Sequence, residues 1–247
     1  MWKHLAKVPR LIFGIIGWPY LLADCLGLRR RPYHLVTRGG VRCEIRPGTS
    51  DWWIFLEVFV FGIYRRVRDD LRRARRVVDI GANVGFFVIF GSSLNPEAEV
   101  HAFEPFPSNV DQMRKNLLLN GGNNRVRVHA EAISDKSGTV QLYYIPGDDS
   151  GCSLSEAREH SVPVNAVAVN DLFKTCGIAD CDLLKMDCEG SELPILRAAS
   201  AELLAKIHSV ILEYHVESEV PELTGILSRS GFRCEELKEI RTLYATR

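Results

Sequence analysis

Residues 76–247 alternate between short apolar runs and longer segments whose apolar positions follow helical spacing. The short runs predict buried strands and the longer segments predict helices. Strands are predicted at 76–80, 99–103, 126–129, 139–145, 162–169, 182–187 and 209–214. Helices are predicted at 84–94, 107–120, 192–199 and 221–230, with a helical turn at 170–175 and a terminal hairpin at 232–237 and 241–245. Apolar strands separated by helices indicate a mostly parallel sheet covered by helices on both faces.

The preceding part of the chain has a different pattern. Two short alternating runs at 33–37 and 40–45 predict a hairpin. The apolar run 52–59 follows Ser50 and Asp51, two residue types that often cap helices, and it predicts a helix. A short basic helix is expected between this run and the first buried strand.

An apolar segment at 11–23 carries no charge and is flanked on both sides by basic residues: Lys3, Lys7, Arg10 and the run 29–31. A helix of this length spans about 20 Å, which is less than the ~30 Å hydrocarbon core, and Pro19 weakens a straight span. A cleaved signal peptide is an alternative, because a basic start precedes an apolar middle and Ala23. We expect a retained helix in residues 1–32, with peripheral membrane contact through residues 1–31 or packing on the domain as the open alternatives.

Composition adds a charge asymmetry. The 247 residues include 31 basic and 31 acidic ones, and 46% are hydrophobic, which is typical of a folded globular protein and excludes wholesale disorder. Residues 1–76 hold 16 Lys/Arg and 6 Asp/Glu, whereas 77–247 hold 15 and 25. Seven cysteines without a CxxC pair favour reduced thiols in a cytoplasmic protein. We divide the chain into the N-terminal helix (1–32), an accessory hairpin with helices (33–76) and the main α/β domain (77–247).

A glycine-rich turn joins the first predicted strand of the main domain to its first helix. The turn lies within the stretch Val77 to Gly85, and its candidate ligand-binding positions are Asp79, Gly81, Ala82, Asn83 and Gly85. A glycine there permits a tight turn and close approach of a ligand, and the first amides of the following helix attract an anionic group. In a parallel α/β sheet, ligands bind at the carboxyl ends of the strands.

Glu104 ends the next predicted strand and lies 23 residues after Gly81. An acidic residue at this distance can accept hydrogen bonds from ribose hydroxyls. A dinucleotide site prefers G-x-G-x-x-G, but Asn83 stands where the second glycine would be, and no glycine follows Gly85 three residues on, where the chain has Val88. Asp79 suits an ammonium group. The combination of amine, carboxylate and ribose favours S-adenosylmethionine over NAD, and an α/β domain with a decayed site is the remaining alternative.

These motifs resemble the FkbM family of S-adenosylmethionine-dependent methyltransferases over about residues 35–245. The matching segments are 46–51, 58–64, 78–86, 103–107, Asn116 with Asn120, 132–135 with Gly138, and 184–192. Two features depart from the family pattern: Cys188 stands where an aliphatic residue is usual, and the apolar N-terminal segment lies outside the shared part.

The resemblance implies a class I methyltransferase fold, a Rossmann-like seven-stranded sheet whose last strand is antiparallel. It implies that Asp79, Gly81, Asn83 and Gly85 face the methionine end of the cofactor and that Glu104 faces the ribose. It places Glu131, Ala132 and Ile133 near the adenine. It also implies O-methylation of a hydroxyl on a sugar, glycolipid or natural product.

Ionisable residues cluster at the ends of two later strands. Lys185, Asp187 and Glu189 end one, and His215 ends the next. Deprotonation of a sugar hydroxyl needs a general base or a metal ion, and these four are the candidate catalytic residues. A helix-capping role, with Glu192 near a helix start, is the alternative. A divalent metal held by Asp187, Glu213 and His215 is an analogy that we do not adopt as the main expectation.

Two other functions remain open on the sequence. The arginine-rich stretch 65–76 can contact phosphates, which would suit an RNA methyltransferase, although a solvated helix face is the simpler interpretation. A non-catalytic membrane adaptor would use the apolar segment. We expect a cytoplasmic methyltransferase acting on a hydroxyl-bearing small molecule, glycan or glycolipid, and no nucleic-acid partner.

Overall fold

The computed structural model describes residues 14–122, 124–145, 148–154 and 157–247, with the backbone alone at 148–150. A sheet of seven strands forms its centre. In spatial order its strands are β13 (Arg233–Leu237), β14 (Thr242–Thr246), β12 (Ile207–Glu213), β11 (Cys181–Met186), β4 (Arg76–Ile80), β5 (Glu99–Phe103) and β6 (Val126–His129). β14 runs antiparallel to both neighbours and the other pairs are parallel. The predicted seven-stranded class I methyltransferase sheet is confirmed.

The sheet is buried on both faces because successive residues of its central strands point to opposite sides. Val77 and Leu183 belong to one hydrophobic cluster, and the adjacent Val78 and Leu184 belong to a second cluster. All four are at most 3% exposed. Helices cover the two faces: α4 (Phe86–Leu94), α5 (Pro107–Leu119), α6 (Leu172–Cys176), α7 (Glu192–Ala198), α8 (Ala201–Ala205) and α9 (Val220–Arg229).

The region before the main domain forms a small three-stranded sheet and three short helices. The strands are β1 (Ile15–Ile16), β2 (Tyr33–Thr37) and β3 (Arg42–Ile45), and the helices are α1 (Trp18–Cys25), α2 (Asp51–Leu56) and α3 (Arg68–Arg73). A π-helical turn, Glu57–Phe61, follows α2. The predicted hairpin is confirmed. Its residues share one hydrophobic cluster with the main domain, and the proposed boundary at residue 76 stays a prediction.

The prediction of one continuous helix over residues 11–23 is wrong for the part that the structure describes. Ile15–Ile16 pair antiparallel with β2, and the helix begins only at Trp18. Gly17 breaks the run: its φ is 96°, and a Cβ there would lie 2.4 Å from the carbonyl oxygen of His34. Ile15 and Leu21 are buried, so this segment packs on the protein in part. Residues 1–13 lie outside the described residues.

A second sheet covers the carboxyl-end edge of the large sheet. It has the order β7 (Ala132–Ser134), β10 (His160–Ala168), β8 (Gly138–Ile145) and β9 (Asp148–Ser153). The Gly, Asp and Ser content of residues 147–151 predicts a mobile loop beside the site, and this prediction is wrong for 148–151, which form part of β9. β9 pairs antiparallel with β8, with Tyr143 opposite Ser153. Hydrogen bonds to β8 hold this stretch as a strand despite its Gly, Asp and Ser content.

Within the described part of the chain, no helix has both the length and the apolar character needed to cross a membrane. Membrane contact of any other kind, and the cytoplasmic location, stay predictions.

Candidate active site

A cavity of about 320 Å³ lies where the parallel strands end. The loops after β4, β5 and β11 and the last residue of β12 contribute to it, since the carboxyl ends of parallel strands meet at one edge of the sheet. Two of its sides differ in character. The glycine-turn wall consists of residues 81–84, Glu104 and residues 131–133, and the acidic wall consists of Glu57, Asp187, Glu189 and Glu213. The sheet of β7 to β10 adds Leu142, Cys152 and Leu154.

The glycine-turn wall depends on one position where no side chain fits. Gly81 has a φ of 77°, and a Cβ there would lie 1.8 Å from the carbonyl oxygen of Asp187. The backbone amides of Gly81 and Ala82 donate to the carbonyl of Phe103 at 3.0 and 2.9 Å. The turn is thereby held between the ends of β4, β5 and β11, with its backbone beside the cavity.

Gly85 ends the turn for a packing reason. Its φ is 85°, and a Cβ there would lie 2.6 Å from Cγ of Met113 on α5. Gly85 is not among the described residues that line the cavity. Its place in the motif therefore reflects close packing of α4 against α5.

Glu104 is fixed by backbone amides beside the turn. Its side chain is buried, and its carboxylate accepts hydrogen bonds from the amides of Asn83 at 2.8 Å and Phe106 at 2.9 Å. Burial raises the pKa of Glu104 to about 7, against the effect of these hydrogen bonds. The predicted residues Glu131, Ala132 and Ile133 line the same cavity. The structure thus brings together the predicted ribose and adenine positions.

Asp79 is placed differently from the expected ammonium ligand. It is fully buried and does not appear among the described lining residues. Its carboxylate lies 3.0 Å from the Lys185 ammonium, which also donates to the carbonyl of Gly81 at 2.7 Å. Although burial alone would lower the pKa of Lys185, the carboxylates of Asp79 and Asp187 raise it well above its usual value. These contacts hold the Lys185 ammonium in place, and its predicted catalytic role, like a contact between Asp79 and the cofactor, stays a prediction.

Asp187, Glu189 and His215 come together as predicted, and Glu192 joins them. Nε2 of His215 lies 3.3 Å from Glu189 and 3.8 Å from Asp187, while its Nδ1 lies 3.2 Å from Glu192. Burial lowers the pKa of His215, but the Glu192 carboxylate at 3.2 Å and the charges of Glu189 and Asp187 raise it overall to about 9. His215 is thus an imidazolium at neutral pH, and it does not appear among the described residues lining the cavity.

Two carboxylates of the acidic wall, those of Glu189 and Glu213, have pKa values above the ordinary range of a glutamate. Burial and the charge of Asp187 raise the pKa of Glu189 to about 7 and that of Glu213 to about 8. Glu189 also has a φ of 53°, which is uncommon for a residue with a side chain. The hydroxyl of Ser153 on β9 donates to the Glu189 carbonyl at 2.7 Å and so joins the covering sheet to this loop.

The residues that could together hold a metal ion differ from the set expected from the sequence. Ligand atoms of Asp187, Glu192 and His215 lie within 4.8 Å of one another. Glu213, which we had grouped with Asp187 and His215, is not part of this set. Glu192 already accepts the amides of Cys188 and Gly190 at 2.7 and 3.0 Å. A metal at this place stays a prediction.

The sequence did not predict which residues the region before the main domain contributes to the cavity. Trp53, Glu57 and Tyr64 come from α2 and the turns after it, and all three line the cavity. Trp53 and Glu57 lie outside the family-matching segments, and Tyr64 ends the segment 58–64 without any sign of its role, because only the tertiary fold brings the three to the strand ends. Glu192 was expected only as an acid near a helix start, and its contact with His215 joins two segments that are distant in sequence.

A family model described as the methyltransferase FkbM domain matches residues 79–234. The chain belongs to this family. It is 27% identical over 228 residues to the 31-O-demethyl-FK506 methyltransferase FkbM of Streptomyces tacrolimicus, covering 78% of this chain and 86% of that protein. It is 26% identical over 160 residues to the hexuronic acid methyltransferase AglP of Haloferax volcanii, covering 65% of this chain and 64% of that protein.

Among solved structures, a methyltransferase from Geobacter sulfurreducens is 19% identical and covers 75% of each chain with a TM-score of 0.44. The family match makes this chain a methyltransferase, and family and fold imply S-adenosylmethionine as the methyl donor.

Proposed function

We propose that this FkbM-family protein transfers a methyl group from S-adenosylmethionine to a hydroxyl of a sugar, glycolipid or natural product. The observation that supports the proposal most is that the glycine-turn wall and the acidic wall line one cavity. The first suits a nucleoside with an amino-acid end, and the second supplies groups that can accept a proton. The name of the Streptomyces relative specifies a 31-O-demethyl compound, which agrees with transfer to an oxygen, and the name of the Haloferax relative specifies a sugar acid.

The chemical character of the residues in the glycine-turn wall matches the parts of S-adenosylmethionine that they would contact. The backbone at 81–84 has no side chain at Gly81 to block approach, and Glu104 can accept from ribose hydroxyls. Ala132 and Ile133 offer an apolar surface to adenine. When bound, the cofactor supplies a methyl group on a positively charged sulfur. The protein then has to orient the accepting oxygen and remove its proton.

Glu189 is the group best placed to remove that proton. A general base works best when its pKa lies near the working pH, and the pKa of Glu189 is about 7. Glu213, with a pKa of about 8, is mostly protonated at neutral pH. His215 was a predicted base, but as an imidazolium it instead holds Glu189 and Asp187 in place. The proton taken by Glu189 can pass to solvent, since this side chain is only partly buried.

Calorimetry of S-adenosylmethionine binding tests the cofactor half of the proposal. The wild-type protein should bind it, and Glu104→Ala should bind at least about tenfold more weakly, because a hydrogen bond to a charged group contributes about 1.5–3 kcal/mol. Glu97→Gln, an exposed change at the opposite end of β5, should bind like wild type. Absence of binding by the wild-type protein would contradict the proposal.

The structure gives RNA no specific support as the acceptor. Three arginines of the stretch 65–76 already pair with carboxylates: Arg66 with Glu235, Arg72 with Asp69, and Arg76 with Asp180. Contact with a membrane surface stays a prediction. Exposed apolar side chains on and after α1, at Leu22, Leu26 and Leu28, lie next to the basic run 29–31 and agree with it.

A further inference from the structure

Arg46 follows β3, the last strand of the accessory hairpin, and an aspartate of the same loop holds its side chain. Asp51 accepts from Nε and from one terminal nitrogen of the Arg46 guanidinium at 2.9 and 2.8 Å, and from the Arg46 amide at 3.0 Å. The Asp51 side chain is 2% exposed and that of Arg46 is 15% exposed. A two-pronged pair of this kind fixes the plane of the guanidinium as well as its position.

The fixed guanidinium reaches the first turn of α5 in the main domain. Its terminal nitrogens donate to Oγ of Ser108 at 2.8 Å and to Oδ1 of Asn109 at 2.9 Å. Asn109 is 2% exposed and lines the cavity. Because a guanidinium can only donate, Asn109 has to present its carbonyl oxygen to Arg46, which directs its amide nitrogen away from the arginine.

Asn109 is in turn connected to Glu104, the acid expected to face the ribose. The Asn109 side chain donates a hydrogen bond to the Glu104 carboxylate, and this bond lowers the pKa of Glu104. A second connection runs through the backbone. The Asn109 amide donates to the Phe106 carbonyl at 3.0 Å, and the Phe106 amide donates to the Glu104 carboxylate at 2.9 Å. One intermediate residue therefore separates the accessory loop from the ribose acid.

On the basis of the proposed function, we propose that Arg46 is a positioning residue for cofactor binding, which orients the Asn109 amide so that Asn109 holds the Glu104 carboxylate in place for the ribose. Without the arginine, Asn109 can turn its oxygen toward Glu104, and two acceptors repel each other. The accessory loop thereby completes the nucleoside site of the main domain. This gives the family-matching segment 46–51 a function in the site.

Calorimetry of S-adenosylmethionine binding to the full-length protein tests this connection. Arg46→Gln should bind about five- to tenfold more weakly than wild type, since it loses the hydrogen bond that orients a buried amide. Ser108→Ala is the matched control: it removes the other contact of the guanidinium with α5 and should bind like wild type. In an Asn109→Ala background, Arg46→Gln should weaken binding no further, because a residue that acts through Asn109 has no effect in its absence.

Arg46→Lys is the second variant, for the case that Arg46→Gln does not fold. It keeps a positive charge beside Asp51, but one ammonium does not reproduce the fork that contacts Asp51 and Asn109 together. Its affinity for S-adenosylmethionine should fall between those of Arg46→Gln and wild type.

The pH dependence of binding separates positioning from a general loss of structure. The pKa of Glu104 is about 7, so affinity for the cofactor should fall as this carboxyl takes up its proton at lower pH. Loss of the Asn109 hydrogen bond raises that pKa, and the midpoint should move to higher pH in Asn109→Ala and less far in Arg46→Gln. Lys185, whose charge also lowers the pKa of Glu104, is unchanged in both variants. A merely structural role would weaken binding at every pH and leave the midpoint in place.

Three results would each overturn the role of Arg46. These are wild-type affinity in both Arg46 variants, additive losses in the double variant with Asn109→Ala, and a midpoint that does not move in Arg46→Gln. Failure of the proposed function is separate, because it shows as absence of S-adenosylmethionine binding by the wild-type protein.

Discussion

The two walls of the cavity differ in which atoms form them: backbone in one and side chains in the other. Backbone forms most of the glycine-turn wall, and its geometry is fixed by sheet ends and by a position that only glycine can occupy. Side chains form the acidic wall, and they come from the accessory region, β11 and β12. A site made of backbone serves a constant ligand, whereas side chains can be exchanged without altering the fold. Under the proposed function, the cofactor lies at the first wall and the acceptor at the second.

The largest effect is expected at the backbone wall, from Gly81→Ala. The added Cβ would meet the Asp187 carbonyl at 1.8 Å, and the left-handed φ adds strain. We expect a loss of about 3 kcal/mol or more in the free energy of unfolding, together with loss of cofactor binding. Chemical denaturation and calorimetry measure the two quantities.

Gly177→Ala is the matched control for this change. Gly177 has a φ of 70° but nothing within 4 Å of its missing Cβ, so only the strain of about 1–2 kcal/mol remains. If both variants lost the same stability and both bound the cofactor, the close approach at Gly81 would not be what builds the wall.

The contrast between the walls also explains what could be predicted from the sequence. Gly81 and Glu104 belong to local patterns, a strand followed by a turn and a strand followed by an acid. Hydrophobic periodicity predicted the order of the main strands and helices, but it did not predict β7, β9 or α8. Glu57 and Glu192 have no such pattern, because their contacts with Glu213 and His215 exist only in the folded chain. Motifs therefore predicted the backbone wall but only part of the acidic wall.

The errors of the sequence analysis have the same physical origin. The apolar run through Ile15 and Ile16 looked helical, but pairing with β2 and the carbonyl of His34 beside Gly17 decide its conformation. Residues 148–151 looked like a loop by composition, but β8 supplies a partner strand. In both places a tertiary contact outweighs local preference.

At the acidic wall, Glu192→Gln should have the next largest effect. The Glu192 carboxylate is buried and accepts two backbone amides besides facing His215, and an amide side chain can accept with only one of its two terminal atoms. We expect a loss of about 2–3 kcal/mol in the free energy of unfolding and a lower pKa for His215, since one neighbouring charge is removed. Denaturation and NMR titration of the imidazole measure these.

Glu202→Gln is the control for Glu192→Gln. Glu202 forms an exposed ion pair with Lys206 on α8, and such pairs contribute about 0–1 kcal/mol. An unchanged His215 titration in Glu192→Gln would show that the Glu192 carboxylate does not set the charge of the imidazole.

Asn116→Ala tests the connection between the accessory hairpin and the glycine turn. We expect it to lower the free energy of unfolding by less than Glu192→Gln does. Asn116 is fully buried on α5, accepts from the amide of Glu44 at 2.8 Å and donates to the carbonyl of Val84 at 3.1 Å. Its removal leaves two backbone groups without this partner, so we expect a loss of about 2 kcal/mol and weaker cofactor binding. Asn120→Ala, which cuts exposed bonds to Arg42, should cost less than about 1 kcal/mol.

The pH dependence of the reaction gives the finest comparison, because it depends on side chains of the acidic wall. Glu189 must be ionised to accept a proton, and its pKa is about 7, so kcat/KM should rise about tenfold per pH unit below pH 7. His215 keeps its charge up to a pKa of about 9, and loss of that charge should lower the rate above pH 9.

Two variants identify which residue causes the rise of kcat/KM at low pH (the acidic limb) and which causes its fall at high pH (the basic limb). Glu189→Gln should abolish the acidic limb, and His215→Asn should abolish the basic limb, whereas Glu97→Gln should keep both. Since the glycine-turn wall takes no part in proton transfer, cofactor binding measured at pH 7 should differ little between Glu189→Gln and wild type. An acidic limb that persists in Glu189→Gln at its original midpoint would move the role of base to another carboxylate of the same wall, Asp187 or Glu213.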